Sequence, residues 1–308
     1  MRYVILSICL WFVGYTLFFF STMGIPSTTS KWVHDVYTYK DSIAHNTTSP
    51  KIVISGGSST LFGIDAQMIQ KELGIPTINY GVNAGVMLPV ILHKTKQILK
   101  PNDILIMPLE YDLYLYDSIP NAQMIDYITS YAPEIFYTLT TKEQFSIYWH
   151  IQTKSIIQKL TQPLKEPNDI YGVHNIDTNG NQINTNKSNQ TQSQLNSVLS
   201  SKPYTYQVDI NNIPQGIKDL KKFKIYCDSI NVKIVFIPPP LLKHPIYYQN
   251  PFFQNIKEIL LQNGFTYISD PYDNLYEYDS FFNTEYHLID KVRTTHTAKL
   301  IKLFHQIN

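Results

Sequence analysis

Five short runs of apolar, largely β-branched residues constrain this chain more than any other feature. They lie at 52–55, 77–80, 104–107, 232–237 and 265–268, each bounded by turn-forming residues. Segments of helical period alternate with them, at 65–73, 88–99, 213–227, 252–261 and 291–304. Strands that are apolar on both faces and alternate with helices predict an α/β fold with a parallel sheet covered on both sides. In an open parallel sheet, ligands gather beyond the carboxyl ends of the strands. Here those ends are 56–59, 81–85, 108–111, 238–240 and 269–273.

The first of these ends carries the most readable chemistry. Strand 52–55 stops at Gly56-Gly57, and Ser58, Ser59 and Thr60 follow before the next helix. A serine on a tight strand-to-helix turn is held out at the top of a sheet, with backbone N–H groups facing an incoming ligand. A nucleophilic serine and its oxyanion hole need that geometry. The same four residues would equally make a plain turn and helix cap.

Residues 3–20 contain no charged side chain and are dominated by Ile, Leu, Val, Phe and Trp. Extended to Met23, the run reaches roughly 30 Å as a helix, enough to cross a hydrocarbon core. Arg2 precedes it, and no clean small-x-small cleavage site follows. An uncleaved transmembrane anchor over 1–24 is therefore expected, rather than a removed signal peptide. A stalk at 25–50 and a domain at 51–308, outside the cytoplasm, would follow. Cys9 lies in the apolar run and Cys227 is alone in the domain, so no disulfide links two domain positions. The formal net charge is +1 with no Lys/Arg cluster, which leaves nucleic acid no electrostatic footprint. No Cys/His set has zinc spacing, and neither a metal nor a cofactor is expected.

Two segments interrupt the α/β pattern. Residues 118–164 are aromatic and helix-like, with Tyr127, Tyr131, Ile135, Phe136 and Tyr137 at mixed spacing. They read as a helical excursion packed on the sheet, with a share of the aromatics available to line a substrate groove. Residues 168–203 are rich in Asn, Gln, Ser and Thr and nearly lack apolar side chains from Asp177 to Gln194. Such composition predicts an exposed, flexible insertion, able to move over a site.

A serine nucleophile needs a base, and the base needs an orienting group. His287 is the best placed of the histidines. It lies between the last strand and the terminal helix, near Asp279, Glu285 and Asp290. His244 follows the proline run 238–240, and His296 sits on the terminal helix, facing whatever that helix packs against.

Four blocks in this order resemble the SGNH/GDSL hydrolase superfamily: Gly56-Gly57-Ser58, the stretch from Asn79 to Gly85, the stretch from Pro108 to Asp112, and His287-Leu288. The nearest likeness is to its membrane-anchored branch, which includes alginate-acetylation proteins and the D-alanyl transfer protein of teichoic-acid synthesis. The resemblance covers 51–112 and 232–304. It implies a three-layer flavodoxin-like sheet, Ser58 as nucleophile and His287 as base. It also implies oxyanion donors from the backbone of Ser58 and of Gly81 or Gly85, with Asn83 and Glu110 in the substrate-binding set.

Three positions depart from the family pattern. Gly57 stands where the common motif has Asp. Glu110 stands where the superfamily has an oxyanion-hole Asn, and a carboxylate accepts hydrogen bonds but donates none. Thr284, flanked by Asn283 and Glu285, stands where the acid three residues before the histidine belongs. Glu285 would then orient His287 from two positions away, as in the alginate-acetylating relatives, with Asp279 as a fallback. Losing one oxyanion donor costs on the order of 3 kcal/mol of transition-state stabilisation.

The implied function is a membrane-anchored extracytoplasmic serine esterase or O-acyltransferase acting on acylated cell-surface polysaccharide. The alternative is a catalytically silent binding or assembly component of a cell-envelope acylation or polysaccharide system. The partners implied are the membrane, the glycan and a membrane-bound O-acyltransferase. Gly56-Gly57-Ser58 is neither a GxGxxG fingerprint nor a P-loop, which disfavours a nucleotide binder.

Overall fold

The computed structural model describes residues 1–166, 170–206 and 213–305. Helices α1 (Arg2–Ser21) and α2 (Thr28–Asn46) precede strand β1 (Ile52–Ile54). After it come α3 (Ser58–Gly63), α4 (Ala66–Leu73), β2 (Thr77–Asn79), α5 (Met87–Ile98) and β3 (Ile104–Met107). The excursion comprises α6 (Tyr111–Tyr114), α7 (Ala122–Tyr131), α8 (Pro133–Phe136), α9 (Thr141–His150) and α10 (Thr153–Thr161), and α11 (Gln192–Leu199) lies in the polar insertion. The alternation then resumes with α12 (Gln215–Ser229), β4 (Lys233–Phe236), β5 (Leu241–Leu242), α13 (Pro251–Gln262), β6 (Thr266–Tyr267), β7 (Leu275–Tyr276) and α14 (Asp290–His305).

The central sheet has the order β2-β1-β3-β4-β6, and every pair in it is parallel. β5 and β7 form a separate two-stranded ribbon. The pleat sends Ile52, Ile54, Ile106, Val235 and Ile237 to one face, against Ile69 of α4 and Leu300, Ile301 and Phe304 of α14. Val53, Leu105, Met107, Ile234 and Phe236 face the larger core built from α2, α5, α7, α12 and α13. Burial on both faces is why these strands read as continuous apolar runs rather than alternating ones. Strand order reverses at β1, with β2 on one side and β3 on the other. A crevice therefore opens between the carboxyl ends of β1 and β3.

Helix α1 is long and apolar enough to cross a membrane. The next stretch differs from the expected stalk. α2 is capped by the Ser27 side chain and buries Val33, Val36, Tyr37, Lys40 and Ala44 in the main core. Asp126 of α7 fixes its start by accepting from Ser27 Oγ (2.5 Å) and Ser30 Oγ (2.6 Å). In the excursion Tyr127, Ile135 and Phe136 are buried and Tyr131 is partly so, while Tyr137 is exposed.

The polar insertion also differs from expectation over 175–185; residues 168 and 169 lie outside the described residues. Asn175, Asn181, Gln182 and Thr185 are buried. Asn181 Oδ1 accepts from the Ala66 N–H (2.8 Å), the Asn179 carbonyl accepts from the Asn79 N–H (2.8 Å), and the Gln182 carbonyl accepts from Arg293. Gly180, at φ +82°, passes so close that a Cβ would come within 2.3 Å of the Asn79 carbonyl oxygen. Hydrogen bonds to the ends of α4 and β2 fix this segment where apolar burial could not.

Candidate functional site

Ser58 and Glu110 meet at the crevice between β1 and β3. Gly57 is the cap residue of α3 and Ser58 is its first helical residue, so the backbone N–H groups at 57–59 lack helical acceptors. Glu110, three residues past β3, supplies acceptors for two of them. Its Oε2 accepts from the Gly57 N–H (3.1 Å) and its Oε1 from the Ser59 N–H (2.8 Å). Glu110 is almost fully buried, and that burial pushes its carboxyl up to about 7 against the pull of the Ser59 hydrogen bond.

Glycine at 57 follows from this arrangement. A Cβ there would lie 2.5 Å from Glu110 Oε1 and 2.6 Å from both the Cβ and the nitrogen of Ala84. The Glu110 carboxylate thus fills the space that a side chain at 57 would need.

The two serines divide cleanly. Ser59 is sealed in the core with Oγ directed to the Pro108 carbonyl (3.4 Å). Ser58 is partly exposed, and its Oγ has no hydrogen-bond partner among the described residues.

His287 lies in the loop before α14 and is 4% exposed. Its ring stacks on Phe62 with centroids 4.0 Å apart and planes within 5°. Phe62 is four residues after Ser58 on α3, which puts both on one face of that helix, with Cβ atoms about 5–6 Å apart. The imidazole therefore packs against α3, the helix that carries Ser58 at its start. Among the described residues no hydrogen bond joins the imidazole to Ser58.

Asn283 Nδ2 donates to the Tyr171 hydroxyl (3.0 Å), which leaves Oδ1 to accept from Nδ1 of His287 (2.7 Å). That network assigns the Nδ1–H tautomer and leaves a lone pair on Nε2. Nε2 has no hydrogen-bond partner among the described residues and, unlike Nε2 of His296, is not a sealed orphan. Burial pushes the imidazole down to about 3, so it is neutral at physiological pH.

The other expected residues are engaged elsewhere. Glu285 does not orient His287: its Oε1 accepts from the Tyr204 hydroxyl (2.7 Å) and its Oε2 from Ser201 Oγ (3.1 Å). Asp279 is exposed, and among the described residues no hydrogen bond or ion pair joins it to the imidazole. The Gly81 N–H is spent on Asn79 Oδ1 (3.0 Å) and the Gly85 N–H on Asn83 Oδ1 (2.5 Å), so neither is free to hold an oxyanion. The backbone N–H that does approach the Ser58 turn is that of Ala84. His296 packs inside the fold with Nδ1 on the Tyr276 hydroxyl (2.8 Å).

Four contributors were not legible as such: Phe62, Tyr171, Ala84 and Lys40. Lys40 of α2 is fully buried behind the 81–85 loop, where Nζ donates to the Gly81 carbonyl (2.5 Å). Burial holds its ammonium well below the usual lysine range. Asn283 was visible in the sequence as a neighbour of Thr284, but an amide gave no signal against the adjacent carboxylate. Among the described residues, no group of three or more His, Cys, Asp or Glu is placed to hold a metal ion.

Around α3 the structure thus places a hydroxyl without a hydrogen-bond partner among the described residues, a neutral imidazole oriented by an amide, and a buried carboxyl raised to about 7. No protein-family model, curated protein or solved structure matches this chain.

Proposed function

We propose that the chain is a membrane-anchored SGNH-like serine esterase or O-acyltransferase, acting outside the cytoplasm on acylated cell-surface polysaccharide. The observation that carries this reading is Ser58 at a helix start in the β1/β3 crevice, with the oriented His287 stacked one turn away on Phe62. Counted among its own strands, the sheet has the order 2-1-3-4-5, which is that of flavodoxin-like doubly wound folds. That order supports the SGNH-type architecture. Helix α1 would anchor the enzyme beside a membrane-bound O-acyltransferase.

In this mechanism Ser58 Oγ attacks the ester carbonyl as His287 Nε2 takes its proton, and Asn283 holds Nδ1–H in place. Collapse of the tetrahedral intermediate breaks the ester C–O bond and releases the alcohol, which takes the proton back from His287. A sugar hydroxyl or water then attacks acyl-Ser58, with His287 again the base. The developing oxyanion faces the Ser58 and Ala84 N–H groups, with Glu110 beside them. Protonated Glu110 can donate an O–H there, whereas its carboxylate repels the forming negative charge.

A pH profile follows from these two groups. His287 stays neutral down to about pH 3, and Glu110 ionises near pH 7. Turnover is therefore expected to be highest on the acidic side and to fall as the pH rises through about 7. The same profile measured on Glu110→Gln should lack that fall. A wild-type rate that instead climbs through pH 7 removes Glu110 from the oxyanion site.

Asn283 orients the imidazole but cannot stabilise the imidazolium as a carboxylate would. Asn283→Asp is expected to raise the His287 pKa and increase turnover by about tenfold or more. An unchanged rate together with an unmoved acid limb would show that His287 is not the base.

A silent binding component is the second reading, favoured by one specific feature. Glu110 consumes two of the N–H groups at the turn, and in its ionised form it puts no donor where the family has its Asn. Labelling with a fluorophosphonate, followed by mapping of the modified peptide, separates the two readings. Modification of Ser58 supports the enzyme. No modification, under conditions that label a control serine esterase, supports the binder.

A further inference from the structure

The helical excursion leaves an apolar surface beside the last turns of α1. Phe145 and Trp149, one turn apart on α9, stack with centroids 6.0 Å apart and are 62% and 61% exposed. Ile157 and Leu160 on α10 are also more than half exposed. An exposed stacked pair of large aromatic side chains on one helix face marks a surface with a partner.

The neighbouring residue, Tyr148, fixes where this patch lies. It flanks the Phe145–Trp149 face and packs into a groove of α1 formed by Phe12, Tyr15 and Phe19, with ring centroids 6.0, 4.9 and 5.1 Å away. Its hydroxyl pairs with Thr16 Oγ1 (2.8 Å), and its carbonyl accepts from the Tyr15 hydroxyl (2.9 Å). Phe136 of α8 adds contacts to Phe19 and Phe20. The excursion is thus clamped to α1 over the residues from Phe12 to Phe20.

The length of α1 leaves no slack. Its 20 residues make a helix of about 30 Å, the thickness of the hydrocarbon core. Phe12 then lies about 14 Å, and Phe19 about 3 Å, below the end of the helix nearest the domain. Any segment clamped between those levels is inside the bilayer.

We infer that α9 forms a foot sunk into the outer part of the same bilayer that α1 crosses, with Phe145 and Trp149 in contact with acyl chains. The exposed Lys154 in the first turn of α10 suits a headgroup level just past α9. This rests on α1 being a membrane anchor. It adds that the domain is held at a fixed height and orientation on the lipid surface rather than tethered loosely.

The three tryptophans make the test. In full-length chains each retaining only one of Trp11, Trp32 or Trp149, with the others changed to Phe, emission is compared in phosphatidylcholine vesicles with and without bromine on the acyl chains. Trp149 is expected to lose emission to a degree comparable with Trp11, and to do so at any lipid-to-protein ratio. Trp32, half-buried in α2 against Tyr171, should be unaffected. Quenching of Trp11 without Trp149 overturns the foot and means that water, a second copy or another protein covers the patch. Absence of quenching at Trp11 overturns the anchor itself.

Discussion

Ser58→Ala is expected to lower ester turnover by about 10⁴-fold or more, while the chain stays folded. The substitution deletes only an Oγ without a protein partner, at the first residue of α3, so its effect on stability should fall within about 0.5 kcal/mol. Ser59→Ala is the informative companion. It removes the sealed hydroxyl that points at the Pro108 carbonyl, at a cost of about 1 kcal/mol, and should leave turnover nearly intact. Hydrolysis of an activated acetyl ester, read beside thermal unfolding of each variant, gives both answers. Turnover retained in Ser58→Ala, or lost equally in Ser59→Ala, removes Ser58 as nucleophile.

The two adjacent serines, distinguished in the sequence only through the family resemblance, differ plainly in burial, and that difference shows what a sequence can and cannot carry. The strands were legible because Ile52–Ile54 and Ile104–Met107 are buried on both faces, and double burial leaves an unbroken apolar run. The last helix was legible because its apolar positions recur. α2 was not, because its buried stripe contains Lys40, which hydropathy scores as exposed, and because its first turn is fixed by Asp126 from 96 residues away. Over 175–185 the polar insertion was misread for a related reason. Composition counts apolar side chains, whereas Asn181 and Gln182 are buried through hydrogen bonds to α4, the insertion itself and α14. The site shows the same division. Ser58, Glu110 and His287 were singled out from the order of blocks at the strand ends that resemble the SGNH/GDSL superfamily, and that order along the chain is visible without a structure. The partner of His287 was not, because side-chain direction within 283–287 is set by loop geometry. That geometry turns Asn283 to the imidazole and Glu285 to Tyr204.

A second large effect is expected at the opposite end of the same two strands. Lys51 and Asp103 form an ion pair (2.6 Å) in which both side chains are entirely shielded from solvent. Lys51 Nζ also donates to the Ile98 carbonyl (3.2 Å) and Ser49 Oγ (3.3 Å). Asp103 accepts from the backbone N–H groups of Lys51 (3.0 Å) and Lys100 (2.9 Å). The pair thus ties the entry of β1 to the entry of β3, directly ahead of the pairing of Ile52 with Ile104. Asp103→Ala leaves a buried ammonium and two orphaned N–H groups, which should cost about 3–5 kcal/mol, read from the urea midpoint. The double variant Lys51→Met, Asp103→Leu removes both charges and should be less destabilised than Asp103→Ala, because the desolvation penalty disappears with the attraction. A cost below about 1 kcal/mol for Asp103→Ala would mean that Lys51 reaches water when released, against its complete burial here. The consequence extends to the site because β1 and β3 are only three and four residues long, about 10–13 Å. A slip at their paired entries would therefore move Gly57 relative to Glu110 at their exits and break the two hydrogen bonds that hold the Ser58 turn. Fluorophosphonate labelling of Ser58 should fall in Asp103→Ala and recover in the double variant, in step with stability.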